Sequence, residues 1–579
     1  MPINSVPRCI QRSLRKVLQV SGWSSTTLIV SPEAFHVVRF CTTLLGALSA
    51  LVANVAAFNN PVLWEDLADL DIRRVDNAYY YSSSTMHYSP GAPILRSYDL
   101  FNWEYIGHSV PTLDFGSAYN LPSGSRAYVK GIWASFFAYH SQKKTWYWGG
   151  CIEFGKTYIY SAPSVTGPWT QLTVLNKCYY DSGLLVDDDG TMYVSYTSNN
   201  NIWVAQLSSD AKSEVKSQQV YVPPSSIGYL EGSRMYKRNG VYYILLTKPP
   251  SGEYTLKASS PFGSYTIKNL VSNLAAPGGT NGGNPHQGGL VDTPNGQWYY
   301  MAFIDAYPGG RIPVLAPVTW GSDGFPAVTL VNGKWGDSYT DPATAHPVPS
   351  LTGVDYFAGS ALGPQWEWNH NPDTTKFSVG AGLVLNAVTV TTDLYQARNT
   401  LSHRILGPIS TATIKLSYGS MKDGDRAGLV LLRDVSAWVG VRRDSGAYTV
   451  AMVSGLAMDT NWNTNSTGSA VASASISGGT IWLRATADIR PSGPRTVNFS
   501  YSTDGSTFKS IGSSFVMINA WQFFMGYRFG IFNYATSALG GQVTIANFQL
   551  DSGTGGKPAS GISTSSKCTH SNDYNSQCL

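Results

Sequence analysis

A chain of 579 residues is long enough for two folded domains, each with a sizeable core. Gly (57), Tyr (35) and Trp (17) are abundant while charged residues make up only 13%, which suits many short strands and turns better than charge-laced helices. The formal charge of +4 lies at the start: residues 1–57 hold Arg8, Arg12, Arg15, Lys16 and Arg39 against Glu33, so the rest carries 35 basic and 35 acidic side chains, and a nucleic-acid or anionic-membrane partner loses its support.

The first element in chain order is the apolar run FCTTLLGALSALVANVAA, Phe40 to Ala57, preceded by Arg39 and ending in small residues. It reads as a signal peptide, so the protein is expected to be secreted and extracellular. A single membrane anchor is the competing reading, disfavoured by the run's length and by the lack of a basic cluster after it. The residues ahead of it are more than a signal sequence needs and are compatible with an upstream start codon. Removing residues 1–57 takes away Cys9 and Cys41 and leaves four cysteines, for which Cys151–Cys178 and Cys568–Cys578 pairings are expected. No Cys/His spacing matches a zinc site. Sequons at Asn465 and Asn498 are compatible with secretion.

Residues 58–340 are organised by a pattern that returns five times, a short apolar strand, a tight turn and an aromatic-rich strand. The copies are ADLDIRRVDNAYYYSSS from Ala68, WASFFAYHSQKKTWYWGGC from Trp133, DSGLLVDDDGTMYVSYT from Asp181, EGSRMYKRNGVYYILLT from Glu231 and HQGGLVDTPNGQWYYMAF from His286. Four carry DN, DG or NG at the turn, where a positive φ is needed. The spacing fits one four-stranded propeller blade per copy, hence five blades, with a β-sandwich as the competing all-β architecture. The first strand of each blade lines a central channel. Asp69, Trp133, Asp181, Glu231 and His286 stand at the starts of the copies and are expected to converge at one end of it. Three carboxylates there suit glycoside hydrolysis, one to take a proton from water and one to protonate the leaving oxygen, with a third raising the pKa of the acid. Taken singly, each is as readily a turn or cap residue; it is their equivalent placement in three blades that points to chemistry.

At these residues the sequence resembles glycoside hydrolase family 43, five-bladed propeller enzymes that include β-xylosidases and α-L-arabinofuranosidases. NPVLWEDLADLDIRRV looks like the family's opening strand, CYYDSGLLVDDDG its second motif and LEGSRMYKRNGVYYILL its third. The resemblance implies that Asp69 is the general base, Asp181 the pKa modulator and Glu231 the general acid of an inverting single displacement, with the two carboxyl groups roughly 6.5–9.5 Å apart. GIWASFFAY resembles the family's GIWAP segment with Ser135 in place of Pro, and GGRIPVLAPVTWGSDGFP resembles the strand that brings an Arg to the substrate. Trp133, Arg311 and His286 are therefore the substrate-contact candidates. His286 stands where many members have a histidine near a central calcium or its water, so a calcium held through water is an expectation there, with a hydrogen-bonded channel histidine as its alternative. No cofactor is required.

DPATAHPVPSLTG marks a linker over residues 341–352. Alternating, turn-bounded segments such as FSVGAGLVLNAV, AGLVLLRD, AWVGVRRD, IWLRATADI and VNFSYSTDG then imply a β-sandwich over residues 353–552, similar to the concanavalin-like domain of many family members. Residues 553–579, rich in Gly and Ser, are expected to be flexible apart from a small cysteine-closed loop. The fold class is thus all-β, propeller then sandwich. Stretches such as SSSTMHYSPGAPILRSYDLFNWEYIGHSVP, RAYVKGIWAS, YVPPSSIGYLEG and IDAYPGGR look most like fungal members that remove α-L-arabinofuranosyl residues from arabinoxylan, with β-xylosidase action on xylo-oligosaccharides as the alternative and a non-catalytic carbohydrate-binding protein as the reading from another class. The expected partner is plant cell-wall polysaccharide and the expected state a monomer, with neither nucleic acid nor membrane bound.

Overall fold

The computed structural model describes residues 56–553; nearly all of the expected signal peptide and the expected Cys568–Cys578 pairing lie outside them. Five antiparallel four-stranded sheets are arranged as blades. Blade I comprises Asp71–Val75, Ala78–Ser82, Gly91–Ser97 and Glu104–Val110, and blade II Phe136–His140, Thr145–Ile152, Lys156–Ala162 and Thr170–Leu175. Blade III runs from Tyr180–Val186 to Glu214–Tyr221, blade IV from Glu231–Arg238 to Thr266–Ser272, and blade V from His286–Asp292 to Pro326–Val328. The innermost strands contact one another around the ring, blade V against blade I included. A two-stranded clasp, Ala57–Asn59 paired with Ser338–Thr340, joins the two ends of the propeller chain.

Blade strands are buried on both faces because each sheet is packed between two neighbours. Val241–Lys248, for example, exposes only its ends. The aromatic residues that mark the repeats fill these wedges: Phe137, Trp146, Trp148 and Tyr160 lie between blades I and II, and Tyr147, Tyr179 and Tyr196 between blades II and III. The hairpin turns take the expected backbone, with positive φ at Asp76, Gly190, Asn239, Gly240 and Gly296. In the copy that lacks a DN, DG or NG turn, Lys144 takes the left-handed conformation (φ 51°). Cys151 and Cys178 form a disulfide that closes a 27-residue separation across blade II.

The second half forms two facing sheets of nine and eight strands. In the larger sheet one face is core and the other solvent, so strands alternate: in Thr480–Asp488, Ile481, Leu483, Ala485 and Ala487 point inward. In the smaller sheet Asp425–Leu432 and Arg528–Ala535 are buried throughout, because the outer face packs on Met86, Tyr128 and Val129 of the propeller. The larger sheet ends on short strands, whereas the smaller recruits a strand from the propeller: Tyr88–Ser89, in a blade I connection, pairs with Trp366–Asn369. Between the two parts, the backbone N–H of His346 donates to Asp99 Oδ2 at 2.7 Å, pinning the connecting segment to blade I.

Candidate active site

Strand pairing shows how the carboxylates are aimed. In blades III, IV and V the innermost strand slips register after its first residue: Tyr180 pairs with Thr197 and Gly183 with Ser195, Glu231 with Thr247 and Arg234 with Leu245, His286 with Phe303 and Gly289 with Met301. Each slip places a left-handed residue second in the strand, Asp181 (φ 48°), Gly232 (φ 68°) and Gln287 (φ 42°). Blade I repeats the device: Ala68 O accepts from Ser84 N, Asp71 pairs with Ser82, and Asp69 has φ 55°. Such a bulge bends the strand and re-aims a side chain, and a short polar side chain tolerates the left-handed region better than most.

Counting along the repeats put Asp69, Asp181, Glu231, His286 and Trp133 at one equivalent position, and the pairing corrects this. Asp69 and Asp181 occupy the bulge position itself. Glu231 and His286 stand one residue earlier, level with Ala68 and Tyr180. Blade II pairs regularly from Phe136, and Trp133, three residues before that strand, packs edge-on against Phe524 of the sandwich with ring centroids 4.9 Å apart.

Asp69 is buried and ion-paired to buried Arg311, with Arg311 Nη1 2.7 Å from Asp69 Oδ1. Arg311 begins the third strand of blade V, and its own N–H donates to Asp66 Oδ1 at 2.8 Å. Its Nε donates to Phe524 O at 3.1 Å. Gly310 is required beside it, since a Cβ there would fall 2.2 Å from Asp66 Oδ1. Asp66 Oδ2 in turn accepts from Gly526 N at 2.9 Å, so the sandwich loop carrying Phe524 is tied to the segment that carries Asp69. Glu231 accepts a hydrogen bond from Tyr180 at 2.8 Å.

The charges are distributed unequally. Burial raises the pKa of Glu231; the hydroxyls of Tyr180 and Tyr229 oppose the rise and the negative charge of Asp69 adds to it. Asp181 is pushed well above the usual carboxylate range by burial first, then by the charges of Glu231 and Asp69. The site therefore holds one carboxylate against a guanidinium and a pair of carboxyl groups, Asp181 buried and Glu231 half-buried, disposed to keep a proton, which is what paired acid and base chemistry needs.

His286 lies at the start of blade V, its Nδ1 bonded to Asn284 O at 2.8 Å and its ring edge-on to Phe303. Calcium takes six to eight oxygen ligands. Among the described residues no group of three or more His, Cys, Asp or Glu side chains could hold a metal ion, so a calcium at His286 would rest on carbonyl and water oxygens, with the imidazole holding one of those waters. No step below passes through a metal.

Three contributors escaped sequence reasoning. Arg234, fully buried, donates to Leu70 O and Asp69 O of blade I and to Ser182 O of blade III, at 2.7–2.9 Å, fixing the backbone on which both aspartates sit. Its signal was present in the EGSRMY motif as a charged residue in an otherwise buried strand. Tyr180 adjoins Asp181 and would have been found by aligning the bulges. Phe524 had no local signal. With Trp133, Phe154, Tyr229 and Trp521 it forms an aromatic rim suited to stacking on sugar rings.

Raised carboxyl values have a stability consequence. Asp181 in the folded protein binds its proton more tightly than in the unfolded chain, so its contribution to stability is complete below the ordinary Asp value of 3.8 and is lost as pH rises through the folded value. Asp181→Asn is therefore expected to be more stable than the parent at pH 7 by roughly 1–2 kcal/mol, with the gain shrinking toward pH 3.8. Denaturant midpoints at the two pH values check this; a gain that grows toward acid pH would contradict the raised pKa of Asp181.

The sequence profile of glycosyl hydrolases family 43 matches residues 58–326, and that of the beta xylosidase C-terminal concanavalin A-like domain matches residues 354–551. The chain is 45% identical to a solved GH43 glycoside hydrolase, described as engineered in its active site to display both endo-xylanase and exo-arabinofuranosidase activity, with a TM-score of 0.83 over 86% of this chain and 100% of that one. It is 26% identical to a beta-xylosidase of Formosa agariphila over 85% of this chain and 90% of that protein. It is likewise 26% identical to a non-reducing end alpha-L-arabinofuranosidase of Bacteroides ovatus, over 68% of this chain and 78% of that protein.

Proposed function

Because this chain belongs to glycosyl hydrolase family 43 and is a glycosidase of that family, we propose that it removes α-L-arabinofuranosyl residues from arabinoxylan by a single displacement with inversion. The observation that carries the mechanism is the unequal surroundings of the three carboxyl groups: Asp69 is ion-paired with Arg311, while burial raises the pKa values of Glu231 and Asp181. A water hydrogen-bonded to Asp69 attacks the anomeric carbon and gives Asp69 its proton. The bond to the leaving oxygen breaks, and that oxygen takes the proton of Glu231. Asp181 and Glu231 share a proton between them, which keeps Glu231 available as the acid. Activity falls as pH rises through the raised pKa of Glu231.

Arabinofuranosyl specificity is supported by the likeness of the loop stretches to fungal arabinofuranosidases and by the 45%-identical relative, whose engineered form has exo-arabinofuranosidase activity. The β-xylosidase reading is favoured by the Formosa agariphila relative, which matches along 90% of its length. Secretion is part of the proposal and is supported by the apolar run before Ala57.

The deciding experiment is product analysis with arabinoxylan and, separately, linear xylo-oligosaccharides. Arabinose from the first and no xylose from either is the expected result, and anomeric proton resonances recorded in the first minutes are expected to show the inverted anomer. Xylose from the oligosaccharides transfers the assignment to β-xylosidase. Neither sugar from either substrate removes the hydrolytic reading for this polysaccharide.

A further inference from the structure

A cavity of about 460 Å³ lies away from the central channel, where the segment 349–354 crosses between blade I and the sandwich. Its volume falls within the range of small-molecule sites. Trp366, His403 and Phe548 form a mutually packed aromatic part of its lining, with centroid distances of 4.9–5.3 Å. Tyr356, on the same cavity, is 62% exposed and carries a free aromatic face.

The two carboxylates around the cavity are already engaged, and the other polar groups are neutral. Glu104 is paired with Arg96 at 2.6 Å. Asp355 accepts from Phe357 N at 2.7 Å, Trp366 Nε1 at 2.8 Å and Gln365 Nε2 at 3.3 Å, which occupies both its oxygens. Burial pushes the His403 imidazole down to about 4. Its Nδ1–H therefore donates to Arg404 O at 2.7 Å and its Nε2 is left as an acceptor. The hydroxyls of Ser350 and Thr352, bonded to one another at 2.9 Å, and the Gln365 amide add donors and acceptors. An exposed aromatic face, several neutral donors and acceptors and no free cation in the lining are the chemistry that recognises an uncharged, polyhydroxylated ring: apolar C–H faces stack on the aromatic while hydroxyls meet the polar edge.

We propose that this cavity is a second, non-catalytic saccharide-binding site, which holds a neutral glycan chain while the channel acts on it. That its occupant is arabinoxylan rests on the function proposed above; that it is a neutral saccharide does not.

The test uses the full chain carrying Glu231→Gln, which keeps the polymer intact, run by affinity electrophoresis through gels containing soluble arabinoxylan, mixed-linkage β-glucan or galactomannan. Tyr356→Ala removes the exposed ring and Ala358→Trp fills the cavity; both positions are exposed, and both variants are checked for an unchanged melting temperature. Each is expected to weaken retardation by arabinoxylan about fivefold or more, the equivalent of roughly 1 kcal/mol, while kcat on an aryl arabinofuranoside is unchanged in the otherwise wild-type chain. Retardation lost from β-glucan or galactomannan in place of arabinoxylan keeps the saccharide site and removes arabinoxylan as its occupant. Retardation that neither variant changes, or a parent that no gel retards, overturns the site. Arabinose release by the wild-type chain is read separately, so failure of the proposed activity is not mistaken for failure of the cavity.

Discussion

Glu231→Gln is expected to lower kcat on arabinoxylan by about a thousandfold or more, and Asp69→Asn by a similar factor, since each removes one half of a paired proton transfer. The two variants separate on a substrate whose leaving group needs no proton. On a nitrophenyl arabinofuranoside, Glu231→Gln recovers most of its loss, because the departing phenolate is stable without protonation. Asp69→Asn stays low, because the attacking water still lacks its base. Equal losses on both substrates for Glu231→Gln, recovery on the nitrophenyl substrate for Asp69→Asn, or near-normal activity of either variant on arabinoxylan would remove the residue from its assigned role. The variants also differ in stability. Gln at position 231 can keep the hydrogen bond from Tyr180, whereas Asn at position 69 leaves the buried guanidinium of Arg311 without its carboxylate, at a cost of about 1–3 kcal/mol. Activity of Asp69→Asn is therefore compared at a temperature where its circular dichroism matches the parent.

The propeller was legible because its repeat is written locally: alternating apolar residues, a turn dipeptide and an aromatic strand, five times over. The carboxylates were legible for the same reason, each standing at the start of a copy. Their exact equivalence was not. A bulge adds a residue to one strand only, so counting back from the aromatic strand placed Asp181 level with Glu231, where the pairing places Tyr180. Trp133 fitted the count although the innermost strand of its blade has no bulge, and its position is set by Phe524 instead. The tie between Asp66 and Gly526 spans 460 residues, and neither residue has a composition or period that points to the other. The sandwich strands could be read from alternation, but not the strand lent by the propeller: Tyr88–Ser89 is two residues long, too short for any period to register. What sequence pattern reports is repetition and amphipathicity. What it omits are the contacts by which the second domain completes the site.

Those contacts converge on Glu367, fully buried on the strand that pairs with Tyr88–Ser89. Its Oε1 lies 3.0 Å from Arg404 Nη1 and 3.2 Å from His108 Nε2 of blade I, and its Oε2 pairs with Arg528. Burial pushes the Glu367 carboxyl up, but the two guanidinium groups and His108 outweigh it and hold the group well below its ordinary 4.5. A depressed value gives stability that is present above the unfolded pKa and is lost as pH falls through the folded one. Glu367→Gln leaves two buried arginines facing a neutral amide, so it is expected to cost about 3–5 kcal/mol at pH 7, with the deficit narrowing once pH drops below 4.5. Part of the loss is recoverable from within. Glu65, whose own pKa is raised by burial and which accepts from Tyr105 at 2.5 Å, is expected to ionise more readily beside the uncompensated arginines. Glu65→Gln added to Glu367→Gln should therefore cost more than Glu65→Gln alone does in the wild type. The loss also reaches the chemistry. Arg404 Nε donates to Asp66 O at 2.8 Å, Asp66 holds Arg311, and Arg311 holds Asp69. Loosening Arg404 releases the segment on which the proposed base is mounted, so Glu367→Gln is expected to lower kcat several-fold at temperatures where it remains folded. A variant that loses stability without any loss of kcat would show that the interface and the site are mechanically independent.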